Sequence, residues 1–254
     1  MNEQNLMGQI SNCLVKGRFE ACVQHRDSGE KKRLGVPELI RLSMKKDVPP
    51  PVVAEEALDN AMEESIEKYV DGEFTLPDMI VRAKSTAKAR DVLSEYTSDS
   101  KSFPKGKAVL ATVDGQDYTH WQGFTVNILK GLGYYTIDLG SGASAKDVVR
   151  SVKNEDPDIL GITPSSTSLI PEFNAVSSIS SKRKIKQVID NLSEEGYRDN
   201  VTILIGGNAP VIHSADEVGA DYCCMNLLQT VKLLKKLACS SKTFRSGAFA
   251  LNPA

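Results

Sequence analysis

Ala108-Val109-Leu110-Ala111-Thr112-Val113, followed at once by Asp114-Gly115, decides the fold. The run shows no polar alternation, so both of its faces are destined for burial, as in a strand inside a parallel sheet. Similar short runs return downstream as Tyr134-Tyr135-Thr136-Ile137-Asp138-Leu139, Ile159-Leu160-Gly161-Ile162-Thr163 and Val201-Thr202-Ile203-Leu204-Ile205, with a shorter last one at Asp221-Tyr222-Cys223-Cys224. Helical patterns separate them: Phe124 to Leu132, ended by Gly133; Ala145 to Lys153; Ser180 to Leu192; Val211 to Val218; and a closing helix from Leu227 to Leu237. Strands alternating with helices predict an α/β unit with a doubly wound, Rossmann- or flavodoxin-like parallel sheet. In such sheets ligands sit beyond the carboxyl ends of the strands.

Upstream the period changes. Ile10, Leu14 and Phe19 recur at helical spacing, and Leu39, Ile40, Leu42 and Met44 follow Pro37, a good first-turn residue. Pro49-Pro50-Pro51 breaks the chain, and Val52 to Tyr69 reads as an amphipathic helix. Asp71-Gly72-Glu73-Phe74-Thr75-Leu76-Pro77 stops it at a glycine and restarts the next at a proline; that helix carries Met79, Ile80, Ala83, Ala87 and Val92. Four helices with short connections predict an N-terminal four-helix bundle. Lys31-Lys32-Arg33 reads as a solvated loop. The polar stretch from Thr97 to Lys107 reads as a linker. The expected division is a helical cap over 1–96, a linker over 97–107 and an α/β domain over 108–254, with the tail after Cys239 loosely held.

Bulk properties exclude several functions. A net charge of −2 gives no basic field for nucleic acid. No apolar run approaches the ~20 residues that span a membrane. The N-terminus, Met-Asn-Glu-Gln-Asn-Leu-Met, lacks a basic region followed by an apolar one and so argues against secretion. The five cysteines, Cys13, Cys22, Cys223, Cys224 and Cys239, are odd in number and form no C-x-x-C, which signals neither a disulfide framework nor zinc. Reduced thiols in a cytoplasmic protein are the expectation.

Four segments converge at the carboxyl edge of the expected sheet: Asp114 to Gly123, Leu139-Gly140-Ser141, Thr163 to Ser168, and Gly206-Gly207-Asn208. Each is weak alone. A Gly-Gly after a strand usually means a tight turn, hydroxyl-rich loops more often cap than bind, and a lone histidine is usually not a ligand. Together they make a polar, glycine-bearing rim with one imidazole, and no phosphate-loop or dinucleotide fingerprint.

In order along the chain, these residues resemble the corrinoid proteins of methyltransferase systems and the cobalamin module of methionine synthase, over roughly Gly17 to Ala238. Glu67 to Pro77 is similar to the family's helix-turn signature in the cap. Ala111-Thr112-Val113-Asp114-Gly115 resembles its first α/β strand and Gly131 to Gly140 its second. Gly206-Gly207-Asn208-Ala209-Pro210-Val211 and Gly219-Ala220-Asp221 resemble its fourth strand and the segment beyond it. The resemblance implies a cobalamin (corrinoid) cofactor whose displaced nucleotide tail enters a glycine-lined slot in the sheet. It also implies a D-x-H-x-x-G loop whose histidine ligates cobalt from below while its aspartate orients the imidazole.

That loop departs from the pattern. Without gaps, Gln116 takes the aspartate position, Tyr118 the histidine and Trp121 the glycine. A register shifted by two residues instead makes His120 and Gly123 an H-x-x-G, with Asp117 one residue too far ahead. Both registers stay open. On the resemblance, His120 is the candidate metal ligand and Asp117 its orienter. Thr163, Ser165 and Thr167 are the tail contacts, Gly206 and Gly207 line the slot, and Asn208 comes next on the same rim. The implied function is a methyl-carrying corrinoid protein: cobalt(I) accepts a methyl group from one methyltransferase partner and passes it to another, and the cofactor carries the chemistry. Two alternatives remain. One is a cobalamin-binding protein without the histidine ligand, serving storage, delivery or sensing. The other is a module that binds no corrinoid, with Trp121 filling the vacated space.

Overall fold

Residues 3–20, 22–24, 31–97, 105–113, 120–164, 171–207 and 214–240 are described by the structure, a computed structural model. The N-terminal part holds α1 (Glu3–Val15), a small antiparallel hairpin of β1 (Cys22–Gln24) and β2 (Lys31–Arg33), and α2 (Val36–Met44). Lys31-Lys32-Arg33, expected in a loop, is therefore a strand. One continuous helix comes next: α3 (Pro50–Val53), a π-helical stretch (Ala54–Asp59) and α4 (Asn60–Val70). Then comes α5 (Leu76–Ser94). The α4–α5 corner is built as its residues suggest. Gly72 takes φ +80°, a conformation that costs glycine little. Thr75 caps α5, with Asp78 accepting from the Thr75 amide at 3.0 Å, and Pro77 sits in the first turn. Phe74 packs beneath the Arg82 guanidinium, 4.3 Å from ring to cation.

Five parallel strands then form one sheet: β3 (Lys107–Val113), β4 (Tyr135–Ser141), β5 (Ile159–Pro164), β6 (Thr202–Gly206) and β7 (Tyr222–Cys224), in the order β4-β3-β5-β6-β7. This is a doubly wound order, with its switch point between β3 and β5. The helices are α6 (His120–Leu132), α7 (Ala145–Glu155), α8 (Pro171–Glu194) and α9 (Leu227–Ser240). Where the sequence predicts a helix from Val211 to Val218, the described part is a short 3-10 turn, Ala215–Glu217.

Alternate strand residues feed two cores. Val109, Ala111, Leu160, Ile162, Ile203 and Ile205 pack with α7 and α8. Ala108, Leu110, Ile159 and Leu204 pack with α6 and α9, and that same core continues outward into Met62 and Ile66 of α4 and Met79 and Ala83 of α5. The helical cap thus lies on the α6/α9 side of the sheet. Behind it, α1 and α2 share a separate core with the other face of the long helix. At the far end of α6, Arg90 donates to the Gly131 carbonyl at 3.0 Å and pairs with Asp59, which Lys105 also reaches at 2.8 Å. A cation against the last carbonyls of a helix is favourable on dipole grounds.

Candidate functional site

Because the strands are parallel and in register, Val113, Ser141, Pro164 and Gly206 end at one edge of the sheet. Stretches 114–119, 165–170 and 208–213 leave from that edge. Gln116, Asp117, Tyr118, Ser165, Thr167 and Asn208 fall within them and lie outside the described residues. His120 begins α6, earlier than the expected start near Phe124, and its side chain is likewise outside the described part. Trp121, Gly123, Thr163, Gly206 and Gly207 are described.

The first turn of α6 is fastened on two sides. Gln122 is fully buried and carries a polar network between the strands. Its Oε1 accepts from the Thr112 hydroxyl of β3, and its Nε2 donates to the Asp138 carboxylate and, at 3.3 Å, to the Gly140 carbonyl of β4. There β4 is irregular: the pairing with β3 shifts between Leu110 and Thr112, and Gly140 turns at φ +72°. The buried amide, with both ends satisfied, holds the helix start against β3 and β4.

Trp121, the neighbouring residue, points away from that network toward β6 and α9. It is 5% exposed. Its indole N–H donates to Thr230 Oγ1 of α9 at 2.8 Å, and the Thr230 hydroxyl donates onward to the Asn226 carbonyl at 3.0 Å. The ring lies directly on the β6 backbone. A Cβ at Gly206 would come within 1.8 Å of Trp121 Cζ2, and one at Gly161 on β5 would lie 3.9 Å from Cη2. Gly206 therefore has its open face filled by the only tryptophan of the chain. Gly123 sits outside this contact; its carbonyl accepts from Asn127 at 2.6 Å.

Two buried hydroxyls beside this packing have no hydrogen-bond partner among the described residues: Thr163 Oγ1 at the end of β5 and Thr125 Oγ1, one turn along α6 from Trp121. An unsatisfied buried hydroxyl is costly. The Thr163 methyl closes against Gly207, where a Cβ would lie 3.2 Å away and φ is +132°. Below Thr230, burial pushes the Cys224 thiol up to about 11, with Thr230 acting in the opposite sense and Cys223 adding to the rise. Cys224 is thus held as a protonated thiol at neutral pH. The Cys223 thiol is raised too, first by burial and then by Glu217. Among the described residues no three His, Cys, Asp or Glu side chains cluster as a metal site. Met225 and Leu228 are exposed apolar side chains where β7 passes into α9 at this edge.

The resemblance implies hydroxyl contacts and an open glycine-lined slot for a corrinoid's nucleotide tail. Thr163, buried and unsatisfied at the end of β5, suits the first requirement. The space over Gly206 does not meet the second, because the Trp121 indole fills it. Sequence reasoning missed Gln122, Thr230 and Cys224. Gln122 appeared there only inside the rim segment Asp114 to Gly123, ahead of the helix expected from Phe124.

Several curated proteins are similar to the chain. Dimethylamine corrinoid protein 1 of Methanosarcina acetivorans is 25% identical over 194 residues, 76% of this chain and 85% of its own length. A corrinoid protein of Desulfitobacterium hafniense is 28% identical over 172 residues, 66% of this chain and 74% of its own. Trimethylamine corrinoid protein 2 of Methanosarcina mazei is 27% identical over 177 residues, covering 68% and 75%. Among solved structures, a methanol:cobalamin methyltransferase complex from Methanosarcina barkeri superposes with a TM-score of 0.72 at 18% identity, over 96% of this chain and 86% of that one. A cobalamin-binding protein from Desulfitobacterium hafniense superposes with a TM-score of 0.63 at 22% identity, over 91% and 97%. At those identities the structures show the fold alone: a parallel α/β sheet with a helical cap. No protein-family model matches the chain.

Proposed function

We propose that the chain is a corrinoid-binding protein that carries a methyl group on cobalt between partner methyltransferases, in the cytoplasm. The observation that supports it most is the likeness to curated corrinoid proteins of methylamine systems across most of both chains. The unsatisfied Thr163 hydroxyl at the carboxyl edge adds a local reason for a polar ligand there. When bound, the corrinoid supplies a cobalt centre able to accept and release methyl groups. The chain's own part is to hold and shield. On this reading Thr163 gives a hydrogen bond at the edge, the Gln122 network fixes the start of α6, and the cap keeps water from the α6/α9 side. Methyl-donor cleavage falls to a partner.

The test is reconstitution with cobalamin, followed by incubation with a methylamine or methanol methyltransferase and its isotope-labelled methyl donor. Label appearing on the protein-bound cofactor only when the partner is present supports the proposal. A chain that takes up no cobalamin ends it.

A second reading, a corrinoid protein without a histidine ligand, is favoured by Trp121. The ungapped register places that residue on the glycine of the D-x-H-x-x-G loop and Tyr118 on its histidine. Electron paramagnetic resonance of the Co(II) form separates the two. Nitrogen splitting lost in His120→Ala supports histidine ligation. Splitting retained in that variant points to the cofactor's own base, and bound cobalamin without nitrogen splitting supports the second reading.

A further inference from the structure

We propose that the Trp121 indole permanently occupies the place in the sheet that a corrinoid's nucleotide base would take, so that this chain holds its cofactor at the carboxyl edge with the nucleotide tail outside the sheet. The inference rests on the proposed corrinoid binding and goes beyond it. Three observations carry it. First, the indole sits where glycine makes room: the Cβ position of Gly206 is 1.8 Å from one ring carbon and 2.1 Å from another. The bare backbone that would admit a tail is already in contact with a side chain. Second, the shapes correspond. Indole and the benzimidazole of cobalamin are both fused six- and five-membered aromatic rings, so a space that fits one is used up by it. Third, nothing favours ejection. The ring is buried in a core shared with Leu110, Phe124, Leu204 and Val231, and its one polar atom is satisfied by Thr230.

Opening the slot would require exposing this side chain and leaving the Thr230 hydroxyl without its donor. A tail entering there would first have to displace an equally bulky ring, at the lost contacts of both. The remaining contacts for a corrinoid are those of the edge itself, among them Thr163 and the exposed Met225 and Leu228. These lie at the edge and not in the place over Gly206 that Trp121 fills.

The experiment compares two corrinoids on the full chain: cobalamin, and cobinamide, which has the same ring but no nucleotide tail. Binding is read by equilibrium titration. Because the chain has one tryptophan, its single indole N–H cross-peak in the nitrogen–proton correlation spectrum reports Trp121 directly. The expected result is affinities within about threefold of each other, with the indole N–H still hydrogen-bonded and protected from exchange in both complexes. A preference for cobalamin of about a hundredfold or more, together with an indole signal that moves and loses protection only with cobalamin, overturns the inference and makes Trp121 a gate. Trp121→Gly supplies a second arm. Opening the space should raise affinity for cobalamin and leave cobinamide unchanged, whereas equal changes for both count against the inference. If neither corrinoid binds the wild-type chain or the variant, corrinoid binding itself falls, and this inference with it. The wild-type comparison stands even if the variant does not fold.

Discussion

Trp121 and Gly206 are a matched pair, distant along the chain and in contact across the α6/β6 boundary. The matching makes each position intolerant. Gly206→Ala puts a methyl where a ring carbon stands, and overpacking of this kind costs about 1–3 kcal/mol or more. Trp121→Ala removes a buried indole and leaves Thr230 without its donor, at about 3–5 kcal/mol. The two costs should not add: with the ring gone, the alanine methyl meets no obstacle. Urea unfolding of both single mutants and the double mutant therefore predicts a double mutant less destabilised than the sum, by on the order of 1–3 kcal/mol. Strict additivity would mean that the ring does not rest on Gly206.

Cys224 gives a pH-dependent signature at the same place. Its folded thiol is pushed up to about 11 from 9.0, chiefly by burial. A group with a raised folded pKa contributes stability that is present below the unfolded value and is lost as pH rises through the folded one. Between pH 8 and pH 10.5 the wild type should therefore lose about 2 kcal/mol more stability than Cys224→Ala. Urea unfolding of both proteins at both pH values checks this, and equal losses would show that the thiol is not held protonated.

At the level of elements, the start of α6 and its end do different work. The start places Gln122 toward β3 and β4 and Trp121 toward β6 and α9; the end docks the cap. A Cβ on Gly131 would fall 2.9 Å from Met62 Sδ and 3.2 Å from the Ala83 carbonyl, so α4 and α5 approach α6 closely only because that residue is glycine. Gly131→Ala is expected to cost about 1–3 kcal/mol. Arg90→Ala, which loses both the Gly131 carbonyl and Asp59, is expected to cost about 2–3 kcal/mol. Both are read as shifts in the urea midpoint. Either variant at wild-type stability would indicate that the cap is not held through α6.

The elements legible in the sequence are those with a strong local reason to form. Of the four longer strands of the sheet, β3, β5 and β6 are apolar runs buried on both faces, whereas β4 is a half-exposed edge strand; the α4–α5 corner announces itself through Gly72, Thr75 and Pro77. The β1–β2 hairpin is hidden because three-residue strands carry no period, and Lys31-Lys32-Arg33 has the composition of a loop. The apparent start of α6 near Phe124 reflects Gly123, which interrupts the pattern; the helix begins at His120, held there by Gln122. The direction of the Trp121 side chain is not legible at all, since it is set by Gly206, Gly161 and Thr230 on three other elements. The rim that suggests a cofactor is legible as composition. Which part of it is already occupied is a property of packing.

For the whole molecule, one core runs from the sheet through α6 and α9 into α4 and α5, so the cap and the sheet are continuous on the side where Trp121 lies. The other side of the sheet is closed by α7 and α8. No helix of the described residues is long and apolar enough to cross a membrane. The carboxyl edge, where Thr163, Gly207 and the start of α9 lie, is where the proposed ligand would sit. The measurement that tests this most directly is gel filtration of the full chain after incubation with excess hydroxocobalamin, with cobalt and protein quantified across the profile. The account predicts that cobalt travels with the protein in equal molar amount and does so in Trp121→Phe as well. Cobalt eluting entirely with free cofactor would contradict it.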